Sequence, residues 1–141
     1  MISIVIPTLN EELNIKKTLK KLNSIKSFRN YEYIIVDDNS SDNTEKEVNK
    51  FKKVLNIKFV HNNKSLGLGY ALKKGFKKAK KKYVLFLDAD LSISKNDIIK
   101  LINKKKINTM VVGSRYTEKS KIEGASYIKV FLSKLLNVII S

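Results

Sequence analysis

Two aspartates separated by one small residue, Asp88-Ala89-Asp90, stand at the end of the uninterrupted apolar run Tyr83-Val84-Leu85-Phe86-Leu87. A run that short and continuous reads as a strand buried on both faces, as in a parallel sheet. Side chains at i and i+2 of an extended segment point the same way, so Asp88 and Asp90 converge on one cation. Hard carboxylate oxygens suit Mg²⁺ or Mn²⁺, ions that usually keep waters and bind substrate phosphates as well. Ala89 keeps the approach open. An isolated pair of this kind more often caps the next turn, but here the surroundings favour chemistry. Two more apolar runs end in polar and acidic groups: Ile2-Ser3-Ile4-Val5-Ile6 leads into Pro7-Thr8-Leu9-Asn10-Glu11, and Tyr31-Glu32-Tyr33-Ile34-Ile35-Val36 leads into Asp37-Asp38-Asn39-Ser40-Ser41-Asp42. The carboxyl ends of strands in open α/β sheets are where ligands bind.

Positioning these groups takes regular elements, and the chain alternates strands with helices. The first strand, residues 2–6, is expected to stop at Pro7 and Thr8. Asn10 is placed to cap the next helix, with Glu11 and Glu12 favourable in its first turn and Ile15, Leu19 and Leu22 as its apolar stripe. Thr44 and Glu47 form a capping-box pattern for a helix carrying Val48, Phe51 and Leu55. Ile57-Lys58-Phe59-Val60 is a third strand. Gly67 and Gly69 permit close backbone approach in the loop that follows. A helix with Ala71, Leu72, Gly75, Phe76 and Ala79 returns to the acidic strand, and another begins at Asp97-Ile98. Thr109-Met110-Val111-Val112-Gly113 reads as a fifth strand, ending at Ser114-Arg115-Tyr116. Such alternation implies βαβ units, right-handed crossovers and a mostly parallel sheet. Ile128, Phe131, Leu132, Leu135, Leu136 and Ile139 then make a strongly amphipathic helical stripe, which fits a core-docking helix and a membrane-surface helix about equally.

Composition excludes several classes. The 141 residues, 43% of them hydrophobic, suffice for one domain with a real core. There is no cysteine and only one histidine, His61, so disulfides, thiolate metal sites and multi-histidine clusters are out. No leader peptide is expected, and no apolar run approaches the roughly 20 residues of a spanning helix. The formal charge of +16 invites a nucleic-acid partner, but only Arg29 and Arg115 are arginines. Nucleic-acid recognition leans on arginine forks and stacked aromatics. The lysines at 16, 17, 20 and 21, and at 77, 78, 80, 81 and 82, read mostly as solvated helix faces, so no nucleic-acid partner is expected.

At this point the chain resembles a known family. Ile4–Glu11 is similar to "VIPTxNE", Val36–Thr44 to "VDDxSxDxT", and Gly67–Phe76 to "GLGxAxxxGF". Leu87–Ser92 is similar to "MDADLS", and Val112–Tyr116 to "VGSRY". Together, in this order, they resemble the family 2, GT-A-fold glycosyltransferases, in the branch of dolichol- or polyprenyl-phosphate mannosyl- and glucosyltransferases. The resemblance implies a Rossmann-like three-layer α/β/α domain with a mostly parallel central sheet. It implies a nucleotide-sugar-binding core over residues 1–116, then an acceptor-side loop and interface helix over 117–141, truncated at the C-terminus relative to the family.

The implied chemistry is inverting transfer of mannose or glucose from GDP-mannose or UDP-glucose to dolichyl or polyprenyl phosphate. By motif position, Pro7, Thr8, Asn10, Glu11, Asp37 and Asp38 would hold the base and ribose, with Asp88 and Ala89 near the donor. Asp88 and Asp90 would hold Mg²⁺ or Mn²⁺ against the diphosphate, with Asp90 in the catalytic position. Ser92 sits where some relatives place a third ligand, usually Gln. Arg115 would set a planar fork on a donor or acceptor phosphate, and Lys129 and Lys134 would stand near the acceptor phosphate. Asp42 reads better as a turn and cap residue. Ile93-Ser94-Lys95 replaces the "HPP" frequent after the acidic motif and leaves glucosyl transfer open. The family's closing acceptor segment is expected from a separate chain, or this is a fragment or an inactive remnant. A transferase to a saccharide or protein hydroxyl is the alternative activity. The expected place is peripheral, at the cytoplasmic face of the membrane.

Overall fold

The computed structural model describes residues 1–113. The expectations for Arg115, Lys129, Lys134 and the amphipathic stripe of residues 128–139 fall outside the described residues. Met1–Ile102 form one compact unit. Its strands are β1 (Ile2–Thr8), β2 (Glu32–Asp37), β3 (Asn56–His61) and β4 (Tyr83–Phe86). The helices are α1 (Glu12–Asn23), α2 (Thr44–Asn49), α3 (Leu68–Lys78) and α4 (Lys95–Asn103), with a short 3₁₀ turn at Lys26–Phe28. All strand pairs are parallel, in the order β3-β2-β1-β4.

The apolar runs of β1 and β2 are continuous because both faces of the sheet are covered there. Ile2, Ile4, Ile6, Tyr33 and Ile35 face a core closed by Ile15, Leu19 and Leu22 of α1, Val48 of α2, and Ile98 and Ile102 of α4. Val5, Ile34 and Val36 point the other way, onto Ala71 of α3. The result is the expected three-layer α/β/α sandwich. Gly75 brings α3 against the sheet: a Cβ there would lie 2.3 Å from Val5 Cγ1 and 3.2 Å from Val36 Cγ2. Alanine gains up to about 1 kcal/mol in intrinsic helix propensity. Overpacking a rigid contact costs about 1–3 kcal/mol. Gly75→Ala is therefore expected to lower the melting temperature, which a thermal melt followed by circular dichroism would read.

Three local expectations are corrected. Pro7 does not stop β1: the strand continues to Thr8, with Pro7 opposite Val36. The Thr8 carbonyl accepts from Asp38 N–H on the β2 side, so Pro7's missing N–H faces the β4 side, where pairing has ended at Val5–Phe86. β4 is not buried on both faces. Tyr83, Val84 and Leu85 are half-buried and Phe86 is 44% exposed, because α3 packs on β1 and β2 rather than over β4. No strand forms at residues 109–113, where Met110 and Val112 are exposed. A β-rich composition makes a strand only where a neighbouring backbone completes the ladder, and the described sheet has four strands, ending at β4.

Candidate functional site

Strand register assembles the site. Thr8 lies opposite Asp37, and Asp37 opposite His61, so three adjacent strands end in one polar row. Asp37 is buried and accepts from Thr8 Oγ1 at 3.1 Å, Ser40 N–H at 3.0 Å and Ser40 Oγ at 2.5 Å. His61 Nδ1 lies 3.1 Å from its second oxygen. These contacts aim Asp37 inward, as the pin of the β2–α2 turn. His61, used in the sequence only to exclude a metal cluster, is thereby a member of the row. Counting three parallel strands to a common level would have found it.

Asp38 is 3% exposed. Its carboxylate accepts from Asn62 Nδ2 at 2.7 Å, Ser65 Oγ at 2.8 Å, Leu66 N–H at 3.0 Å and Gly67 N–H at 2.7 Å. Burial alone would raise its pKa, but the donors from Leu66, Asn62, Ser65 and Gly67 outweigh it and hold the group at about 2. Asp38 is thus a charged anchor for the β3–α3 loop. That loop and α3 line a cavity of about 270 Å³ bounded by His61, Asn63, Lys64, Leu66 and Tyr70.

The β1–α1 and β2–α2 turns are laced together. Asn10 stands in the left-handed region at φ 55°. Its Oδ1 accepts from Ser41 N–H at 2.8 Å, and its own N–H donates to Ser40 Oγ at 2.8 Å. Asn10 therefore bridges turns and does not cap α1, whose N-cap residue is Glu11. Glu11 N–H donates to Thr44 Oγ1 at 2.9 Å, and its carboxylate accepts from Asn14 at 2.7 Å. The Thr44–Glu47 capping box is not formed: Asp42 instead accepts Thr44 N–H at 2.9 Å, Thr44 Oγ1 at 2.5 Å and Glu12 N–H at 3.0 Å. Burial would raise the Asp42 pKa, but these donors outweigh it and the group is lowered. Asp42 serves the turn, as its position suggested.

The acidic pair lies just beyond β4. Leu87 N–H donates to the Val5 carbonyl at 3.0 Å, carrying the ladder one step further. The backbone then turns, with Leu91 N–H donating to the Asp88 carbonyl at 3.2 Å and Leu91 at φ 44°. The segment is therefore a tight turn and not an extended strand. Sidedness survives: Asp88 and Asp90 are exposed while Ala89 and Leu91 are buried. Thr18 Oγ1 of α1 donates to the Ala89 carbonyl at 2.6 Å and fixes the turn from below. Ser92 donates its N–H at 3.1 Å and its hydroxyl at 3.0 Å to Asp90 Oδ1, orienting that carboxylate. Thr18→Val, which strands the Ala89 carbonyl, is expected to cost about 1–2 kcal/mol and to weaken Mn²⁺-dependent nucleotide binding several-fold. A thermal melt and a metal titration check both.

Among the described residues no group of three or more His, Cys, Asp or Glu gathers to cage a metal. Two exposed carboxylates suit instead an ion that keeps waters and takes its remaining ligands from a substrate phosphate, as Mg²⁺ and Mn²⁺ do. The donor set fits.

The sequence profile of "Glycosyl transferase family 2" matches residues 3–137. This chain belongs to that family. The dolichol-phosphate mannosyltransferase of Pyrococcus furiosus is 31% identical over 134 residues, covering 94% of this family 2 chain and 38% of the relative. The fold is that of GT-A glycosyltransferases of known structure. Staphylococcus aureus TarS 1-349 superposes with a TM-score of 0.63 at 28% identity, over 80% of this chain and 38% of that one. The mannosyltransferase PcManGT of Pyrobaculum calidifontis, solved with GDP-Man and Mn²⁺, gives a TM-score of 0.64 at 24% identity, over 72% and 31%. The family 2 chain thus spans well under half the length of these proteins.

Proposed function

We propose that the chain serves hexosyl transfer, of mannose or glucose, from GDP-mannose or UDP-glucose to a dolichyl or polyprenyl phosphate. The observation that carries this reading is the exposed Asp88/Asp90 turn, set on the same sheet edge as the Thr8–Asp37–His61 row. The likeness to a dolichol-phosphate mannosyltransferase supports the acceptor class.

Pro7, Thr8, Asn10 and Glu11 border the nucleoside, while Asp37 and Asp38 hold its walls in place from beneath. Asp88 and Asp90 hold Mg²⁺ or Mn²⁺, which would supply charge neutralisation at the departing diphosphate. Ser92 keeps Asp90 turned toward that role. A lipid monophosphate is already anionic near neutrality, so its oxygen attacks the anomeric carbon without a dedicated base. The bond to the nucleoside diphosphate breaks with its electron pair, and single displacement inverts the centre. Arg115 pairs with a phosphate, with Lys129 and Lys134 on the acceptor side. The protein works at the cytoplasmic membrane face.

Transfer to a saccharide hydroxyl is the second reading. It is favoured by the likeness to the chondroitin synthase of Escherichia coli, 39% identical over 95 residues, 64% of this chain and 13% of that one. Calorimetric titration with GDP and UDP, each with and without Mn²⁺, tests the donor half. Metal-dependent binding of one nucleotide is expected and identifies the base. No binding to either by the folded protein would overturn the reading in favour of an inactive remnant.

A further inference from the structure

Between Glu47 and Asp88 the chain carries twelve lysines and no acidic residue. The carboxylates of the described residues all fall on either side of this stretch. Glu32, on the α3 face of β2, is buried and accepts from Lys80 N–H at 2.9 Å and from Ser3 Oγ, so it does not face outward beside α3. Within the acid-free stretch, α3 presents a sharply divided surface. Ala71 and Gly75 face the sheet and are buried. Lys74 turns toward β3, donating to the His61 carbonyl at 3.1 Å and Asn62 Oδ1 at 2.5 Å. On the opposite flank, Leu68, Leu72 and Phe76 form a ridge at i, i+4 and i+8. Leu68 is 60% exposed and Phe76 58% exposed. Lys73 and Lys77, both exposed, make the next ridge outward. Strand alternation puts Phe86, like Val84, on this same side of the sheet.

We propose that this flank of α3 is a docking surface for an anionic phospholipid bilayer. The apolar ridge would enter the headgroup–acyl boundary while Lys73 and Lys77 reach lipid phosphates over their own methylene stems. Charge complementarity selects this occupant. Exposed Leu68 and Phe76 beside lysines, with half-buried Leu72 between them and no carboxylate on the helix, match a negative surface with an apolar interior. A nucleic acid would be a poorer match: the stretch has no arginine fork, and its ridge is mostly aliphatic. The surface stands on α3 and not on the acidic turn, so this inference and the transferase reading fail separately.

The test is co-sedimentation of the full chain with vesicles of phosphatidylcholine alone and of phosphatidylcholine with about one-third phosphatidylserine. Binding is expected only to the anionic vesicles. The double variant Lys73→Glu/Lys77→Glu should weaken it by at least about tenfold, and Phe76→Ser should weaken it several-fold at unchanged charge. The charge-matched Lys17→Glu/Lys20→Glu, on α1, should lose far less. Equal losses in both double variants would reduce the effect to net charge and overturn the assignment. So would unchanged binding by the α3 variants, which places the contact elsewhere, or tighter binding to a generic DNA duplex than to the vesicles. Loss of the folded state in Phe76→Ser would also overturn it, by showing that polypeptide covers the ridge.

Discussion

Asp90→Asn abolishes Mn²⁺-dependent nucleotide binding and leaves the melting curve almost unchanged; that is the expected result at the acidic turn. The side chain is exposed, and its structural duty is to accept two hydrogen bonds from Ser92. An asparagine oxygen still accepts both, so the stability change should fall within about 0.5 kcal/mol. The charge is another matter. Among the described residues two carboxylates are offered to the hard divalent ion, so removing one takes away half of these anionic ligands. Loss of a partner that merely orients a ligand already costs about 10–100-fold in metal affinity, so at least about 100-fold is expected here. Calorimetry of the variant with nucleotide and Mn²⁺ measures it. Wild-type metal dependence in Asp90→Asn would remove this carboxylate from the site.

Asp38→Ala is expected to do the reverse, costing stability first. Its carboxylate gathers Leu66 N–H, Gly67 N–H, Asn62 Nδ2 and Ser65 Oγ, which have no other partner among the described residues; Asn62 is buried, and Ser65, Leu66 and Gly67 are exposed. Each stranded donor costs about 1–3 kcal/mol, less where water enters, so a total of about 3–5 kcal/mol is reasonable. The same contacts set an acid limb. The folded-state pKa, about 2, lies below the ordinary 3.8. The unfolded chain therefore takes up the proton first as pH falls. Asp38's contribution is complete above the unfolded value and is lost as pH drops through about 2. Denaturant melts between pH 6 and pH 2 should show a steeper acid decline in wild type than in Asp38→Ala. A variant as stable as wild type that had lost nucleotide affinity would instead make Asp38 a direct ligand contact.

What the sequence made legible was local. Apolar runs, helical stripes and acids at run ends located all four strands and helices of the compact unit, and the motif order identified the family. What it concealed depended on distance along the chain. Asp38 reads as a free strand-end acid until a loop 24–29 positions later folds back onto it. Asn10 looks like a helix cap because nothing nearby announces that Ser40 and Ser41 will claim its backbone and side chain. Pro7 looks like a terminator because β4's early exit is written elsewhere. The run at 109–113 has strand composition, but pairing is supplied by a neighbour and not by composition. In the acidic turn, Asp88 and Asp90 are both exposed, while Ala89, expected to leave their approach open, is buried beneath them, in a tight turn and not an extended strand.

The strand order has a kinetic consequence. β1 meets β2 across 29 positions, Ser3 opposite Glu32, but meets β4 across 81, Ile2 opposite Tyr83. Closing the longer loop costs more entropy, and contacts of high sequence separation form late. The three-stranded β1–β2–β3 sheet should therefore assemble first, with the polar row already formed and no cation site. Until β4 arrives, β1 is an open edge carrying Ile4, Val5 and Ile6, a template for pairing with other chains. Synthesis runs in the same order, so the hazard lasts as long as the ribosome takes to reach the second acidic motif, and the cation site closes the edge as it forms.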